Sequence, residues 1–255
     1  MLLALVAVVF FTLPLLGLLG EVEWGSLWDN LTSQQAKDAI RLSVECSLWS
    51  TAISVCFGVP LAYVLARVPF PGKALVRALV VLPMVLPPVV GGVALLYAFG
   101  RTNGLVGGWI YDTFDWQFTF SKSGVVLAET FVAMPFLVIT VEAGLRTMDR
   151  RYEDAAATLG ASRLTVFRRV TVPLIAPSLF AGAALAWARA LGEFGATITF
   201  AGNIQGRTQT TPLAVYLYLE SQPQVAIALS LLLLAVSITV LVLLRDRWFG
   251  NVRSA

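Results

Sequence analysis

Charged side chains are rare in this sequence, and two of them lie inside a long apolar segment. In the run ARALGEFGATITFAGN, Arg189, Glu193 and Thr197 recur at four-residue spacing, which places them on one face of a predicted helix. Arg189 and Glu193 can neutralise each other across one helical turn, although Arg before Glu is the weaker order for such a pair. Two interpretations stay open: an ion pair that fixes helix packing, or a polar face along which a solute moves.

The side chains that usually bind metals or catalyse reactions are missing or isolated. The sequence contains no histidine, which removes the usual metal ligand and the commonest general base. Cys46 and Cys56 lie ten residues apart in one apolar segment, which predicts two buried thiols and neither a disulfide nor a metal pair. The phosphate-loop pattern G-x-x-x-x-G-K-[ST] does not occur. We therefore expect no catalytic residues, no metal site and no cofactor in this chain.

The composition places the chain among membrane proteins. Hydrophobic residues make up 58% of the sequence and charged residues 13%, whereas soluble domains carry roughly a quarter charged residues. A helix needs about 20 mainly apolar residues to cross the hydrocarbon. Six segments qualify, and the first has no basic residues or clear cleavage site, which favours a retained span. The predicted fold is an all-α polytopic membrane protein, one integral domain over 1–255, with spans near 2–20, 42–66, 75–99, 123–144, 174–200 and 224–244.

Basic residues predict the orientation of these spans. Cytoplasmic loops carry the excess of Lys and Arg, so the side with more of them is assigned to the cytoplasm. If both termini are cytoplasmic, five basic residues lie in outer loops and 12 of the 18 lie inside, namely Arg67, Lys73, Arg77, Arg146, Arg150, Arg151, Arg163, Arg168, Arg169, Arg245, Arg247 and Arg253. The sequence therefore predicts cytoplasmic N- and C-termini.

The polar loop 146–173 between predicted spans 4 and 5 then faces the cytoplasm. It has the pattern of two short helices around Gly160, with Ser162 as the N-cap of the second helix and Pro173 ending the polar part. A DNA-reading helix-turn-helix has similar local features, but here the second helix runs straight into a span and cannot enter a groove, so no nucleic acid is expected. A solvated basic loop on anionic headgroups and a docking element for a soluble partner stay open.

The spacing within this loop resembles the "EAA" loop of membrane subunits in binding-protein-dependent ABC importers. That pattern runs E-A-A, three residues, G, nine residues, then I-x-L-P. Here Asp154-Ala155-Ala156 precedes Gly160 at the same spacing, and Val170-Thr171-Val172-Pro173 follows nine residues later. Asp replaces Glu at 154, and Val replaces Ile and Leu at 170 and 172. Glu153, beside Asp154, offers a substitute for the expected glutamate.

The resemblance implies partners and a set of coupling residues. In that family the loop forms coupling helices that seat in a cleft of a separate ATP-hydrolysing subunit, so ATP and Mg would be held by that subunit. The implied partners are two such ATPase subunits, a second copy of this chain, an extracytoplasmic oxyanion-binding protein and the bilayer of a bacterial or archaeal cytoplasmic membrane. The implied coupling residues are Glu153, Asp154, Ala155, Ala156, Gly160 and Pro173.

Two further runs resemble the molybdate and tungstate branch of this family. They are LGEFGATITFAGNIQGRTQTTPLAVY and LPMVLPPVVGGVALLYAFGRTNGLVG, within a resemblance covering about 40–245. Sulfate and thiosulfate permeases share GEFGA and AGNI and are the nearest alternative. The resemblance implies import of a tetrahedral oxyanion by alternating access. Such an anion is handled by hydroxyls, amides and helix N-termini, so the predicted path or gate residues are Arg189, Glu193, Thr197, Thr199 and Asn203, with Thr208 and Thr210 as further candidates.

An ion-coupled secondary transporter or a channel is the alternative from another functional class. It would need an inverted repeat or a coupling-ion site, and the sequence shows no paired interrupted segments of that kind. A membrane enzyme would need converging nucleophile, base or metal ligands. Arg207, on an outer loop, either attracts the anion or is an ordinary solvated charge.

Overall fold

The computed structural model describes residues 1–249, and this part of the chain is helical throughout, without a β-strand. The all-α prediction is therefore confirmed. Of the basic residues used for the orientation, Arg253 lies outside the described residues. The helices are α1 (Leu2–Gly20), α2 (Leu27–Thr32), α3 (Gln34–Arg67), α4 (Lys73–Val85), α5 (Pro88–Phe99), α6 (Gly107–Phe114), α7 (Lys122–Thr147), α8 (Arg151–Thr158), α9 (Arg163–Val166), α10 (Val172–Leu191), α11 (Gly195–Phe200), α12 (Thr211–Ser221) and α13 (Pro223–Phe249), with a π-helical turn at Phe167–Thr171.

The packing of the chain forms two compact units, a finer division than the single domain expected from the sequence. The core unit comprises residues 45–202, and the terminal unit comprises residues 1–44 together with the chain from Asn203 onward. In the core unit, α7 and α10 form the most extensive helix pair. Small residues bring these two helices together, because a side chain at Gly182 would meet Thr140 and the backbone of Leu137.

Five helices are long and apolar enough to cross a membrane. They are α1, α3, α7, the continuous helix Arg163–Leu191 and the segment Pro223–Leu244 of α13. Four of the predicted spans, 2–20, 42–66, 123–144 and 224–244, fall within them. A sixth span exists if the bent pair α4 and α5 counts as one, as the sequence predicted for 75–99. The multi-pass prediction is confirmed, with five spans or six.

The predicted continuous span 75–99 is wrong in shape, because the helix breaks at Pro87 and Pro88. The axes of α4 and α5 differ by 120°. Leu86, which precedes the prolines, adopts an extended conformation with φ −64° and ψ 137°. A residue before proline is disfavoured in the helical region, and proline supplies no backbone N–H. The two halves are about 20 and 18 Å long, each shorter than the hydrocarbon thickness of about 30 Å.

The span predicted for 174–200 also differs at both ends. Its N-terminal end was expected at Pro173, yet α9, the π-helical turn and α10 form one continuous helix from Arg163 to Leu191. Pro173 is tolerated because it lies in the first turn of α10, directly after a turn in which the Val172 N–H donates to the Phe167 carbonyl, five residues back. At the other end, α10 stops at Leu191 and α11 begins only at Gly195.

The two helix breaks meet in the core unit. Helix α11 packs against α5, and a Cβ on Gly195 would lie 2.6 Å from Cβ of Pro88. One turn further on, a Cβ on Gly92 would lie 2.9 Å from the Ala196 carbonyl oxygen and 2.7 Å from Cβ of Thr199. Glycine at 92 and 195 therefore permits the close approach of the residues that follow each break.

This contact predicts the effect of adding one methyl group. We expect Gly92→Ala to lower the free energy of unfolding by about 1–3 kcal/mol, because α5 and α11 must separate to admit it. Gly17→Ala in α1 is the matched control, since nothing lies within 4 Å of its added Cβ. Alanine favours a helix more than glycine does, so this variant should be unchanged or slightly stabilised. Thermal unfolding in detergent measures both variants, and equal melting temperatures would contradict the packing argument.

Candidate coupling loop and translocation residues

The loop between α7 and α10 contains a short exposed helix that ends at Gly160. Helix α8 stops with a Schellman motif, in which the Gly160 N–H donates to the Ala157 carbonyl (2.9 Å) and the Ala161 N–H donates to the Ala156 carbonyl (3.1 Å). Gly160 has φ +83°, a conformation that favours glycine. Ser162 then caps α9 by accepting a hydrogen bond from the Thr165 N–H at 3.3 Å. The loop has a defined shape before any partner is present.

Glu153 joins this loop to the ends of two spans. Its carboxylate pairs with Arg67, the last residue of α3, at an Nε–Oε2 distance of 3.1 Å. The other oxygen, Oε1, accepts a hydrogen bond from the fully buried Thr171 hydroxyl at 2.7 Å. The ring of Tyr63 in α3 stacks edge-on against Phe167 beside these contacts, with centroids 5.3 Å apart. Displacement of α8 would therefore pull on both α3 and the helix that leads into α10.

Asp154, the position that matches the family glutamate, makes none of these contacts. It is exposed and lines a cleft of about 270 Å³ together with Arg150 and Arg163. Ala155 is exposed and Ala156 is half-buried. The internal anchor is therefore Glu153, whereas Asp154 is available to a partner. Arg67 was not predicted for this site, because it lies 86 positions from Glu153 in the sequence and no local pattern connects them.

The tip of the loop exposes apolar side chains in a polar surrounding. Leu159 is 89% exposed, Leu164 65% and Tyr152 59%. They lie on α8, at its end and on α9, next to the exposed Arg163. An apolar patch rimmed by charge on a helix-turn-helix element is typical of a protein-binding surface.

Arg189 and Glu193 form an ion pair across the break between α10 and α11. The Arg189 Nη2 to Glu193 Oε2 distance is 2.6 Å, and the Glu193 side chain is 1% exposed against 28% for Arg189. The second oxygen of Glu193 accepts a hydrogen bond from the Ala196 N–H at 2.7 Å, which satisfies a free donor in the first turn of α11. This geometry gives Glu193 a structural role in holding the break.

The predicted common face of Arg189, Glu193 and Thr197 is wrong, because the helix is interrupted between Leu191 and Gly195. Thr197 is fully buried, and its hydroxyl makes no hydrogen bond with the described residues. Thr199 is half-buried and donates to the Gly195 carbonyl at 2.8 Å. The path or gate role of these threonines stays a prediction.

The remaining path candidates lie in the terminal unit. The amide nitrogen of Asn203 donates to the Leu213 carbonyl at 3.5 Å, whereas its buried carbonyl oxygen is unpaired within the described residues. Thr208 is fully buried and accepts a hydrogen bond from the Ile204 N–H at 2.9 Å. Thr210 is also buried, whereas Arg207 is exposed. Their role in a path stays a prediction.

Sequence reasoning missed two buried carboxylates on α7. Glu129 is 1% exposed, and one of its oxygens makes no hydrogen bond with the described residues. Glu142 pairs with Arg77 of α4 and, at 2.9 Å, with Arg146 one turn along α7. The available signal was a lone glutamate in an otherwise apolar span, since an ionisable residue at that depth is expensive and usually functional.

A helix-turn-helix loop between two spans and tied to their ends is what a membrane component coupled to a soluble partner requires. Residues 58–251 match the family described as "Binding-protein-dependent transport system inner membrane component". The chain belongs to this family. It is thus a multi-pass membrane component of a transport system.

Individual relatives of this membrane component are similar over most of its length. A Mycobacterium tuberculosis protein named "Molybdenum transport system permease protein ModB" is 48% identical over 214 residues, 84% of this chain and 80% of the relative. A Salmonella typhimurium protein named "Sulfate transport system permease protein CysT" is 38% identical over 199 residues, 78% of this chain and 71% of the relative. A chain from a bacterial alginate ABC transporter, solved with a pentasaccharide-bound periplasmic protein, shares the fold with a TM-score of 0.71 at 16% identity, covering 95% of this chain and 93% of that chain.

Proposed function

We propose that this chain is the permease subunit of an ATP-driven importer for a tetrahedral oxyanion, with molybdate or tungstate as the substrate. The observation that carries the substrate is the 48% identity to a relative named for molybdenum transport. Sulfate is the second candidate, supported by the weaker 38% identity to a relative named for sulfate transport. The proposed setting is a bacterial or archaeal cytoplasmic membrane, with both termini cytoplasmic.

The exposed tip of the loop is the surface we assign to a separate ATPase subunit. Its apolar side chains, Tyr152, Leu159 and Leu164, suit an apolar groove, while Asp154 and Arg163 beside them suit charged groups on its rim. Because Glu153 joins α8 to α3 and to the helix leading into α10, movement of the tip would be passed to the spans. Binding of ATP, with its Mg, would then change the conformation of this chain without chemistry in it.

The meeting of the two helix breaks is where we place the anion path. Non-helical backbone at membrane depth is tolerated where it is buried in protein or lines a cavity, and broken helices often carry the binding sites of transporters. Pro88 and Gly195 follow the two breaks and touch each other. A second copy of this chain would complete the path, and an extracytoplasmic binding protein would deliver the anion for alternating access.

Reconstitution tests this function and separates the two substrate candidates. The chain is placed in vesicles with its ATPase subunits, and uptake is measured while molybdate, tungstate and sulfate are titrated against the cognate binding protein. We expect ATP-dependent uptake of molybdate or tungstate at concentrations where sulfate does not compete. Preferential sulfate uptake would select the second candidate, and uptake driven by an ion gradient without ATP would contradict the importer assignment.

Gly160 provides a test of coupling with a matched control. Gly160→Val is expected to distort the loop, because a β-branched residue is strained at φ +83° by about 1–2 kcal/mol. Gly160→Asn is the control, since asparagine tolerates this conformation and nothing lies within 4 Å of an added Cβ. We expect the valine variant alone to lose oxyanion-stimulated ATPase activity and uptake. Full stimulated hydrolysis in Gly160→Val would exclude the loop as the coupling element.

A further inference from the structure

A groove with two connected parts runs along α7 in the core unit. The first part is a cavity of about 470 Å³ between α3 and α7, walled by Trp49, Ile53 and Trp116. The second part has a volume of about 330 Å³ and is walled by Leu61, Phe131, Met134 and Pro135. Leu127 and Thr130 line both parts, which makes the two cavities continuous.

The mouth of the groove carries an ion pair and aromatic side chains. Lys122 Nζ lies 2.8 and 2.9 Å from the two carboxylate oxygens of Glu45, and both side chains remain partly exposed, at 49% and 38%. The Trp116 indole N–H donates to the Ser123 hydroxyl at 3.1 Å. Lys122 is the first residue of the α7 span, so this mouth lies where the span leaves the hydrocarbon. Tryptophan and lysine are typical of that interface.

The dimensions of the groove match one acyl chain in one leaflet. The α7 residues that line it extend from Lys122 to Pro135, an axial rise of about 20 Å. Half of the hydrocarbon thickness is about 15 Å, so the groove extends from the interface to the depth reached by a lipid tail. Below the ion pair the walls are almost entirely apolar, as such a tail requires.

We propose that this groove binds one membrane phospholipid whose head group carries both an ammonium and a phosphate. In this arrangement Lys122 contacts the phosphate, Glu45 contacts the ammonium, and one acyl chain follows α7 past Leu127. Glu45 selects against lipids that are only anionic, because its carboxylate would face their phosphate without a compensating cation. A transmembrane helix of a second copy fits less well: α1, the wholly exposed span, has no charged residue to offer the ion pair.

Native mass spectrometry tests the proposal on the full-length protein. The protein is released from nanodiscs holding equal amounts of phosphatidylethanolamine and phosphatidylglycerol, and the retained lipids are counted. We expect retained phosphatidylethanolamine, and a loss of about tenfold in Lys122→Gln, because one charge-assisted hydrogen bond to the phosphate disappears. Glu45→Gln should shift retention towards phosphatidylglycerol. Leu127→Trp should lower the retention of both lipids, because it fills the groove without changing any charge.

The control and a second measurement keep the outcomes separate. Lys37→Gln removes an exposed lysine in the terminal unit and should leave lipid retention unchanged. In addition, benzoylphenylalanine in place of Trp116 records what touches the groove in the folded protein. A crosslink with the mass of a phospholipid supports the proposal. A crosslink to a second copy of the chain overturns it, as does phosphatidylethanolamine retention that is equal in the wild type, Lys122→Gln and Leu127→Trp.

Discussion

Replacing Glu193 with leucine should lower the free energy of unfolding by about 3–5 kcal/mol and abolish transport. The Glu193 carboxylate is almost fully buried and bonds both to the Arg189 guanidinium and to the Ala196 N–H. Leucine would leave Arg189 without its counter-ion and the first turn of α11 without its acceptor. Breaking a buried pair from one side is more costly than replacing both partners, because a charge is left unpaired. Thermal unfolding in detergent and oxyanion uptake in vesicles measure the two effects.

Two matched variants separate holding the helix break from contact with the anion. Arg189→Met combined with Glu193→Leu removes both charges, so it should be more stable than Glu193→Leu alone. Thr197→Val removes a buried hydroxyl without a partner and should keep or raise stability. If Thr197→Val keeps its stability but loses uptake, Thr197 serves the path. A Glu193→Leu variant as stable as the wild type would show that the pair does not hold the break.

Glu153→Gln should uncouple ATP hydrolysis from transport and lower the free energy of unfolding by about 2–3 kcal/mol. Glutamine keeps the size of the side chain and can still accept from the Thr171 hydroxyl, but it cannot neutralise Arg67, whose side chain is only 9% exposed. The loop would then move without carrying α3 with it. We expect residual ATPase activity that no longer responds to the loaded binding protein. Parallel measurements of hydrolysis and uptake in the same vesicles give the coupling ratio.

Asp154→Asn is the control for this experiment, because it makes the same chemical change one residue along the same helix. Asp154 is exposed and forms no ion pair with the described residues. Its substitution should leave thermal stability unchanged, and any effect on coupling should take the form of weaker association with the ATPase. Equal destabilisation by the two variants would contradict the assignment of Glu153 as the internal anchor of the loop.

Local patterns in the sequence predicted the elements that depend on near neighbours. Five helices that can span a membrane, the glycine that ends α8, and the Ser162 cap of α9 follow from apolar length and from helix-end chemistry acting over a few residues. The assignment to a transporter family rested on the spacing from Asp154 to Pro173, which a one-dimensional pattern can carry. These features require no knowledge of distant contacts.

Two errors came from treating proline and glycine as isolated local signals. Pro173 was expected to end a helix, but the π-helical turn before it removes the conflict and the helix continues. The Pro87–Pro88 pair was expected to be absorbed in one span, yet it turns the chain by 120°. Proline restricts its own backbone and that of the preceding residue, but whether the helix bends, breaks or continues depends on what packs against it.

The sequence by itself determined that this is an all-α membrane protein with a shaped polar loop, and it determined the family, because apolar length and short-range spacing act along the chain. The tertiary structure alone decided that Glu153 pairs with Arg67, that Pro88 meets Gly195 at two helix breaks, and that Lys122 meets Glu45 at the mouth of a groove. These partners lie tens of residues apart. Their contacts arise from how the helices pack, and helix packing depends on side-chain shape over the whole interface, which no local pattern encodes.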